Sequence, residues 1–353
     1  MAATDSTDLR AVMANDLSVS GPDDTADLSV IIPAYDRLVL IRETIDSVLA
    51  QTVPPREIIV VDNGPLAEEH RRLVDTYGGR VRYLRSEPRG VIHARNAGIR
   101  HASSRWIVFL DDDDLWSPGF LAIAREAMRD PRVGFIGADH VKFEGAAKEP
   151  ETNFERAPPG YWDGIPRPEP GKDYSFVGKF PLDRLLRRIP FYPSSGLVRR
   201  DVALAVGGFD PQVAGFITDD IEFLIRALTA SELAIIWKPM MEYRLHAGNV
   251  SRGRNRQSLS RWKVFEFAYR NHRDLDPAFR AALERDLPQR REDAFEVAFA
   301  TDDHATVKAA WARLEPAQRT WRRRLRRAIV GVPQPWSNML KRRLVRSYRP
   351  YDA

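Results

Sequence analysis

The chain has 353 residues, 43% of them hydrophobic and 29% charged, which suits one large globular domain, or one domain with additions, around a sizeable core. It has no cysteine, which excludes disulfides, thiolate metal sites and cysteine nucleophiles. The formal charge of +5 is uneven: residues 319–353 hold eleven Lys or Arg and one Asp, so the rest of the chain is mildly acidic and is not expected to bind nucleic acid.

The first 27 residues are polar and acidic, lack the basic start and apolar stretch of a secretory signal, and read as a mobile leader. No window is apolar over the length a membrane span needs. A cytoplasmic location is expected. From Leu28 strand and helix signals alternate. LSVIIPAY (28–35) is a β-branched run, and Ile41, Ile45, Val48 and Leu49 then share one helix face. EIIVVD (57–62) is a second strand, closed by Asn63-Gly64-Pro65. A helix near 66–77, a strand at 81–85 and a helix near 91–101 lead to RWIVFL (105–110), which runs into four aspartates. A helix over about 117–129, starting at Ser117-Pro118, and a strand over 133–143 follow. The expected class is α/β, with a mostly parallel sheet flanked by helices. Residues 145–180 read as a long loop. Beyond it lie a strand at 194–200, a helix at 218–230 that opens on acidic residues, and strand candidates LAIIWKP and MMEYRLH within 233–246. From about 256 the sequence is helical and Arg-rich.

In such sheets ligands bind beyond the carboxyl ends of the strands. Three strand ends carry carboxylates there: Asp36, Asp62 and the run Asp111 to Asp114. Four adjacent aspartates repel one another unless cations or water surround them. A hard divalent cation that keeps positions open for phosphate oxygens relieves the repulsion, and a solvated turn before a helix does so too. Arg95 precedes the aspartate strand and could meet phosphate or be a surface charge. Asp219-Asp220 opens a helix, where a carboxylate could take a proton from a hydroxyl or merely complement the helix dipole. His246 follows a strand candidate, as a structural residue or a metal ligand.

Four segments together resemble the family 2 inverting glycosyltransferases, which have the GT-A fold. SVIIPAYDRLVLIRETIDSVLAQTVPPREIIVVDNGP is similar to their nucleotide-binding opening, and RGVIHARNAGIRHASSRWIVFLDDDDLWSPGFL to the segment ending in Asp-x-Asp. GGFDPQVAGFITDDIEFLIRA resembles their later acidic segment, and YRLHAGNVS their closing Tyr-Arg-x-His. The resemblance runs from about Leu28 to Ser251. It implies that Pro33, Ala34, Tyr35 and Asp36 line a nucleotide pocket, that Asp62 contacts the base and that Arg95 lies near the phosphates. It also implies Asp111 and Asp113 as the Asp-x-Asp pair on Mn2+ or Mg2+, His246 beside the metal, and Asp220 as catalytic base. Asp219 stands where the family usually has Glu, and Asn63-Gly64-Pro65 replaces the commoner Asp-Gly-Ser.

The expected division is a leader (1–27), a GT-A domain (28–252), a helical extension (253–318) and a basic amphipathic tail (319–353). The tail mixes arginines with Trp321, Leu325, Ile329, Val330 and Trp336, which suits an anionic membrane surface. A helix packing its apolar stripe on the body is the alternative, and RNA binding a weaker third. The expected function is transfer of a sugar from a nucleotide-sugar donor to a saccharide or lipid-linked acceptor, at the cytoplasmic face of the inner membrane if the tail binds lipid. Sugar-phosphate nucleotidyl transfer and non-catalytic binding are the competing readings. The absence of a Gly-rich phosphate loop counts against the first and the complete acidic set against the second.

Overall fold

The computed structural model describes residues 26–249 and 254–332. The leader before Ala26 and the tail beyond Val332 lie outside the described residues. The chain forms two compact units, one of residues 26–215 with 219–249 and one of residues 216–218 with 254–332.

The first unit opens as strict alternation: β1 (Ala26–Ala34), α1 (Leu38–Leu49), β2 (Pro55–Asp62), α2 (Ala67–Asp75), β3 (Arg82–Arg85), α3 (Val91–His101) and β4 (Trp106–Phe109). Then come β5 (Leu115–Trp116), α4 (Phe120–Met128), β6 (Val133–Glu144), β7 (Ala147–Lys148), β8 (Tyr174–Gly178) and the single turn α5 (Arg184–Arg187). It closes with β9 (Gly196–Arg199), α6 (Arg200–Ala205), α7 (Asp219–Ala230) and β10 (Glu232–Arg244). One sheet has the order β3-β2-β1-β4-β9-β6-β10-β5, with β7 on β6 and β8 on β10. The pairs β3–β2, β2–β1, β1–β4 and β6–β10 are parallel, whereas β9 runs antiparallel to both neighbours. The order reverses between β1 and β4, the switch point at which such sheets open a ligand crevice.

Strand β1 is buried on both faces, which explains its unbroken apolar run. Val30 and Ile32 join Ile41, Ile45 and Val48 of α1 in the core cluster. Each such side chain contributes roughly 1.5–3 kcal/mol on full burial. On the opposite face α3 packs so close that a Cβ at Gly98 would lie 2.3 Å from Ile31 Cγ2. Only glycine permits this approach, and it sets the height at which α3 carries Arg95.

Two local expectations are corrected. LAIIWKP and MMEYRLH are not separate strands: β10 is continuous and shifts register around Pro239. Proline has no N–H for the ladder, so the pairing slips there. The strand pairs antiparallel with β8 over Leu233–Ile236 and with β5 at Met241–Glu242. The helix expected from Ser117 starts at Phe120, because Ser117 N donates to Met240 O at 3.0 Å and draws this stretch to β10.

The second unit contains α8 (Arg254–Asn271), α9 (Pro277–Ala300), α10 (His304–Arg313) and α11 (Trp321–Ile329). Asp276, Asp303 and Thr320 cap α9, α10 and α11 through backbone N–H groups. Phe265, Phe279, Phe295 and Phe299 are fully buried within it. Among the described residues no helix is long and apolar enough to cross a membrane.

Candidate functional site

The acidic run leaves β4 at the switch point. Leu110 N donates to Ile31 O at 2.9 Å, so the aspartates emerge beside the end of β1 and its loop. There Tyr35 N donates to Asp112 Oδ2 at 3.3 Å, and Arg37 Nη1 meets Asp112 Oδ1 at 2.7 Å and Asp113 Oδ2 at 2.8 Å. Asp114 points inward: Ser194 Oγ donates to its Oδ2 at 2.6 Å and Arg244 N to its Oδ1 at 3.2 Å. The same Ser194 oxygen accepts from Asp111 N at 3.1 Å. The repulsion anticipated from sequence is thus met by arginines and burial. Burial, with the neighbouring carboxylates, raises Asp112 to about 7 against the pull of Arg37, and raises Asp114 well above the carboxylate range.

Asp113 faces His246, whose Nε2 lies 2.9 Å from Asp113 Oδ2. Asn249 Nδ2 is 3.5 Å from that oxygen, and Asn249 Oδ1 accepts from His246 N at 2.6 Å. Adjacent ligands on an octahedral Mg2+ or Mn2+ sit about 3 Å apart, so the oxygen and imidazole nitrogen fit as two neighbouring donors. Among the described residues no group of three His, Asp or Glu side chains converges as a metal cage. Arg37 Nη1 also lies 2.8 Å from that Asp113 oxygen, so a cation there would share the carboxylate with the arginine.

Arg95 is buried on α3 and joins two acidic segments. Its Nη2 donates to Asp111 Oδ1 at 2.9 Å and its Nη1 to Asp219 Oδ1 at 3.4 Å. Asn96 fixes the chain beneath it, donating to Phe209 O and accepting from Phe209 N, both at 2.8 Å. The Phe209 ring lies 5.1 Å under the Arg95 guanidinium. Asp220, next on α7, lines a small pocket with Phe109, Phe191, Tyr192, Phe209 and Phe223. These apolar walls, with the charge of Asp219, raise Asp220 to about 7, while Arg95 opposes the rise.

At the end of β2, Asp62 is fully buried. Its Oδ1 accepts from Gly64 N at 2.9 Å and lies 3.2 Å from His70 Nδ1. Its Oδ2 accepts from Tyr83 OH at 2.8 Å and Arg85 Nη1 at 2.6 Å. Burial alone would raise this carboxyl, but the Gly64 N–H, the Tyr83 hydroxyl and Arg85 outweigh it and hold the group below its ordinary value. A Cβ at Gly64 would lie 1.7 Å from Tyr35 O, so the Asn63-Gly64 turn presses directly on the β1 loop. Asn63 Nδ2 donates to Ala34 O at 3.0 Å. Pro33 and Ala34 end β1, while Tyr35, 52% exposed, and the exposed Asp36 lead the chain over the crevice.

Residues 29–182 match the family model for glycosyl transferase family 2. The family 2 likeness thus covers 154 of the 353 residues. An uncharacterized glycosyltransferase of Rickettsia felis is 32% identical over 126 residues, 35% of this chain and 21% of that protein. The Escherichia coli UDP-Glc:alpha-D-GlcNAc-diphosphoundecaprenol beta-1,3-glucosyltransferase WfgD is 31% identical over 110 residues, 31% of this chain and 44% of that one. The chain thus spans less than half the length of these curated relatives. Two solved structures share the fold. S. aureus TarS 1–349 in complex with UDP-GlcNAc has a TM-score of 0.53 at 15% identity, over 77% of this chain and 72% of that one. The mannosyltransferase PcManGT from Pyrobaculum calidifontis, in complex with GDP-Man and Mn2+, has a TM-score of 0.53 at 20% identity, over 98% and 88%. The architecture is the GT-A one that the sequence resemblance implied.

The family 2 match contains Asp62, Arg95 and the acidic run, whereas Asp220 and His246 lie beyond it. Folding brings Arg95, Asp111, Asp219 and Asp220 into one group and Asp113 with His246 into another. Asp62 belongs to a separate cluster that ends in Arg85. Sequence reasoning missed four side chains that organise this site: Arg37, Asn96, Ser194 and Arg244. Arg37 and Arg244 lie inside quoted motifs, and their charge beside an acidic run was the available signal. Ser194, eighty residues from Asp114 along the chain, carried none.

Proposed function

We propose that this chain is an inverting glycosyltransferase. It moves a sugar from a nucleotide-diphosphate donor, with UDP-sugars the first expectation, to a hydroxyl of a glycan or lipid-linked saccharide in cell-surface polysaccharide synthesis. The observation that carries the reading is the Arg95 bridge, which sets the acidic run beside the helix bearing Asp220. The relatives support a nucleotide sugar through UDP-GlcNAc and GDP-Man in their structures, and a lipid-linked acceptor through the diphosphoundecaprenol substrate of WfgD.

In this reading the β1 loop and the Asp62–Arg85 cluster hold the nucleotide, and the acidic run faces the diphosphate. Asp113 and His246 are the proposed ligands of Mn2+ or Mg2+, with Asp111 nearby; the cation supplies countercharge to the leaving diphosphate. Asp220 accepts the proton of the acceptor hydroxyl as that oxygen bonds the anomeric carbon. The bond from that carbon to the diphosphate breaks, and the nucleoside diphosphate leaves with the electron pair. One displacement inverts the anomeric centre. Ionised Asp220 is the working form, so turnover rises with pH through about 7. The proposed setting is the cytoplasm, with peripheral contact at the inner face of the membrane.

The test is release of nucleoside diphosphate from a panel of nucleotide sugars, with a lipid-diphosphate-linked GlcNAc analogue as acceptor. Asp220→Asn is expected to lower transfer about 100-fold or more while donor binding persists. Near-normal turnover in that variant removes Asp220 from the base role, and no release from any donor overturns the reading.

A further inference from the structure

Helix α11 is inside out. An amphipathic helix on a protein surface ordinarily buries its apolar stripe and presents its charges to water. Here Arg323 faces inward, with Nη2 2.9 Å from Glu292 Oε2 and Nε 2.9 Å from Glu296 Oε1. Arg326, also turned inward, pairs with Glu296 and lies 5.6 Å from the centre of the Phe299 ring. These arginines anchor α11 to α9, and Ile329 of the same helix is buried. The opposite face carries Trp321 at 69% exposure and Leu325 at 44%. The two are one helical turn apart and lie side by side. Exposed Arg322 and Arg324 flank them, one on each side of the stripe.

We propose that this outward face is a membrane contact, with Trp321 and Leu325 seated at the headgroup level of an anionic bilayer and Arg322 and Arg324 on lipid phosphates. Tryptophan suits that depth, because its ring is apolar and its N–H still finds a polar partner. The charge favours lipid over a protein: the outward side of α11 bears arginine and no acid, and residues 333–353 add five more Lys or Arg against one Asp. Glu292 and Glu296 of α9 are engaged with the inward arginines, so the outward charge is left to an external anion. The inference names the surface for the membrane placement proposed above and does not depend on the donor or the base.

The test is cosedimentation of the full chain with vesicles of phosphatidylcholine alone and of phosphatidylcholine with phosphatidylglycerol in equal parts. Binding is expected on the anionic vesicles and is weakened by salt. Trp321→Ala with Leu325→Ala is expected to lower the partition about tenfold or more on anionic vesicles, with an unchanged unfolding midpoint because both side chains are exposed. Arg322→Ala with Arg324→Ala is expected to lower it about tenfold, and only where phosphatidylglycerol is present. Wild-type binding in the Trp321/Leu325 variant, or no vesicle binding by the natural chain, overturns the proposal. So does a dimer in sedimentation velocity that this variant abolishes, which would assign the face to a second copy. Transfer to a soluble acceptor is expected unchanged in the same variant, so a failure of the transfer reading is distinguishable from a failure at the membrane.

Discussion

Arg95 and Asp219 lie 124 residues apart in the chain and meet inside the protein at 3.4 Å. Because Arg95 also holds Asp111, one buried cation screens the acidic run and the head of α7 together. Arg95→Ala is expected to leave Asp111, Asp219 and Asp220 facing one another unscreened. Arg95 opposes the upward shift of Asp220, so its removal moves the acid limb of the turnover profile above pH 7. Turnover at neutral pH falls about 100-fold, and Arg95→Lys restores part of it. A pH–rate profile of the two variants checks both the size and the direction.

Asp113 and His246 share a contact at 2.9 Å, yet only one of them lies in the family 2 match. If both hold a cation, Asp113→Ala and His246→Ala weaken Mn2+ binding by about 10- to 100-fold each, and EDTA abolishes transfer. Calorimetric titration of Mn2+ in the presence of a nucleoside diphosphate reads this directly. Transfer that survives EDTA and Asp113→Ala together would remove the metal from the reaction.

Asp62 ties three donors, and the His70 ring beside them, to one buried carboxylate. Asp62→Ala would leave Arg85 and the Tyr83 hydroxyl without their partner and is expected to cost about 3–5 kcal/mol of stability. Burial and Asp62 together push Tyr83 up to about 12, so Tyr83→Phe removes a single hydrogen bond and costs about 1–2 kcal/mol. Denaturant unfolding gives these values. Nucleoside diphosphate affinity should fall much more for Asp62→Ala than for Tyr83→Phe.

His140 is fully buried between Tyr192 and Tyr243, and among the described residues neither ring nitrogen has a hydrogen-bond partner. Burial, reinforced by nearby Lys142, lowers it to about 3. The native state therefore resists a proton that the unfolded chain accepts below about 6.5. This stability is full above pH 6.5 and is lost as the pH falls toward 3. His140→Leu is expected to be near-neutral at pH 7, because no hydrogen bond is broken. It should flatten the acid-side loss by roughly 3 kcal/mol by pH 4. Urea unfolding at pH 7, 5 and 4 tests the slope.

Periodicity and strand-end chemistry made much of this protein legible before folding. The alternation through β4 is local: β-branched runs, one apolar helix face and the turn at Asn63-Gly64 each sit within a few residues, so one segment suffices to read them. The acidic run was legible for the same reason. Continuity of β10 across Pro239 was not, because a proline inside a strand pattern reads as an end, and only the partners on either side carry the strand through. The means of stabilising four aspartates was equally hidden. Arg37, Arg95, Ser194 and Arg244 come from four separate segments, and only the sheet order brings them to one crevice. The tail divides in the same way. Its composition announced an amphipathic basic helix, but composition cannot say which side turns outward. The glutamates of α9 decide that, because pairing Arg323 and Arg326 inward leaves Trp321 and Leu325 facing the solvent. Local pattern, set by short-range sterics and hydrophobic spacing, is written in the sequence; which charge meets which is a long-range choice that exists only once the chain has folded.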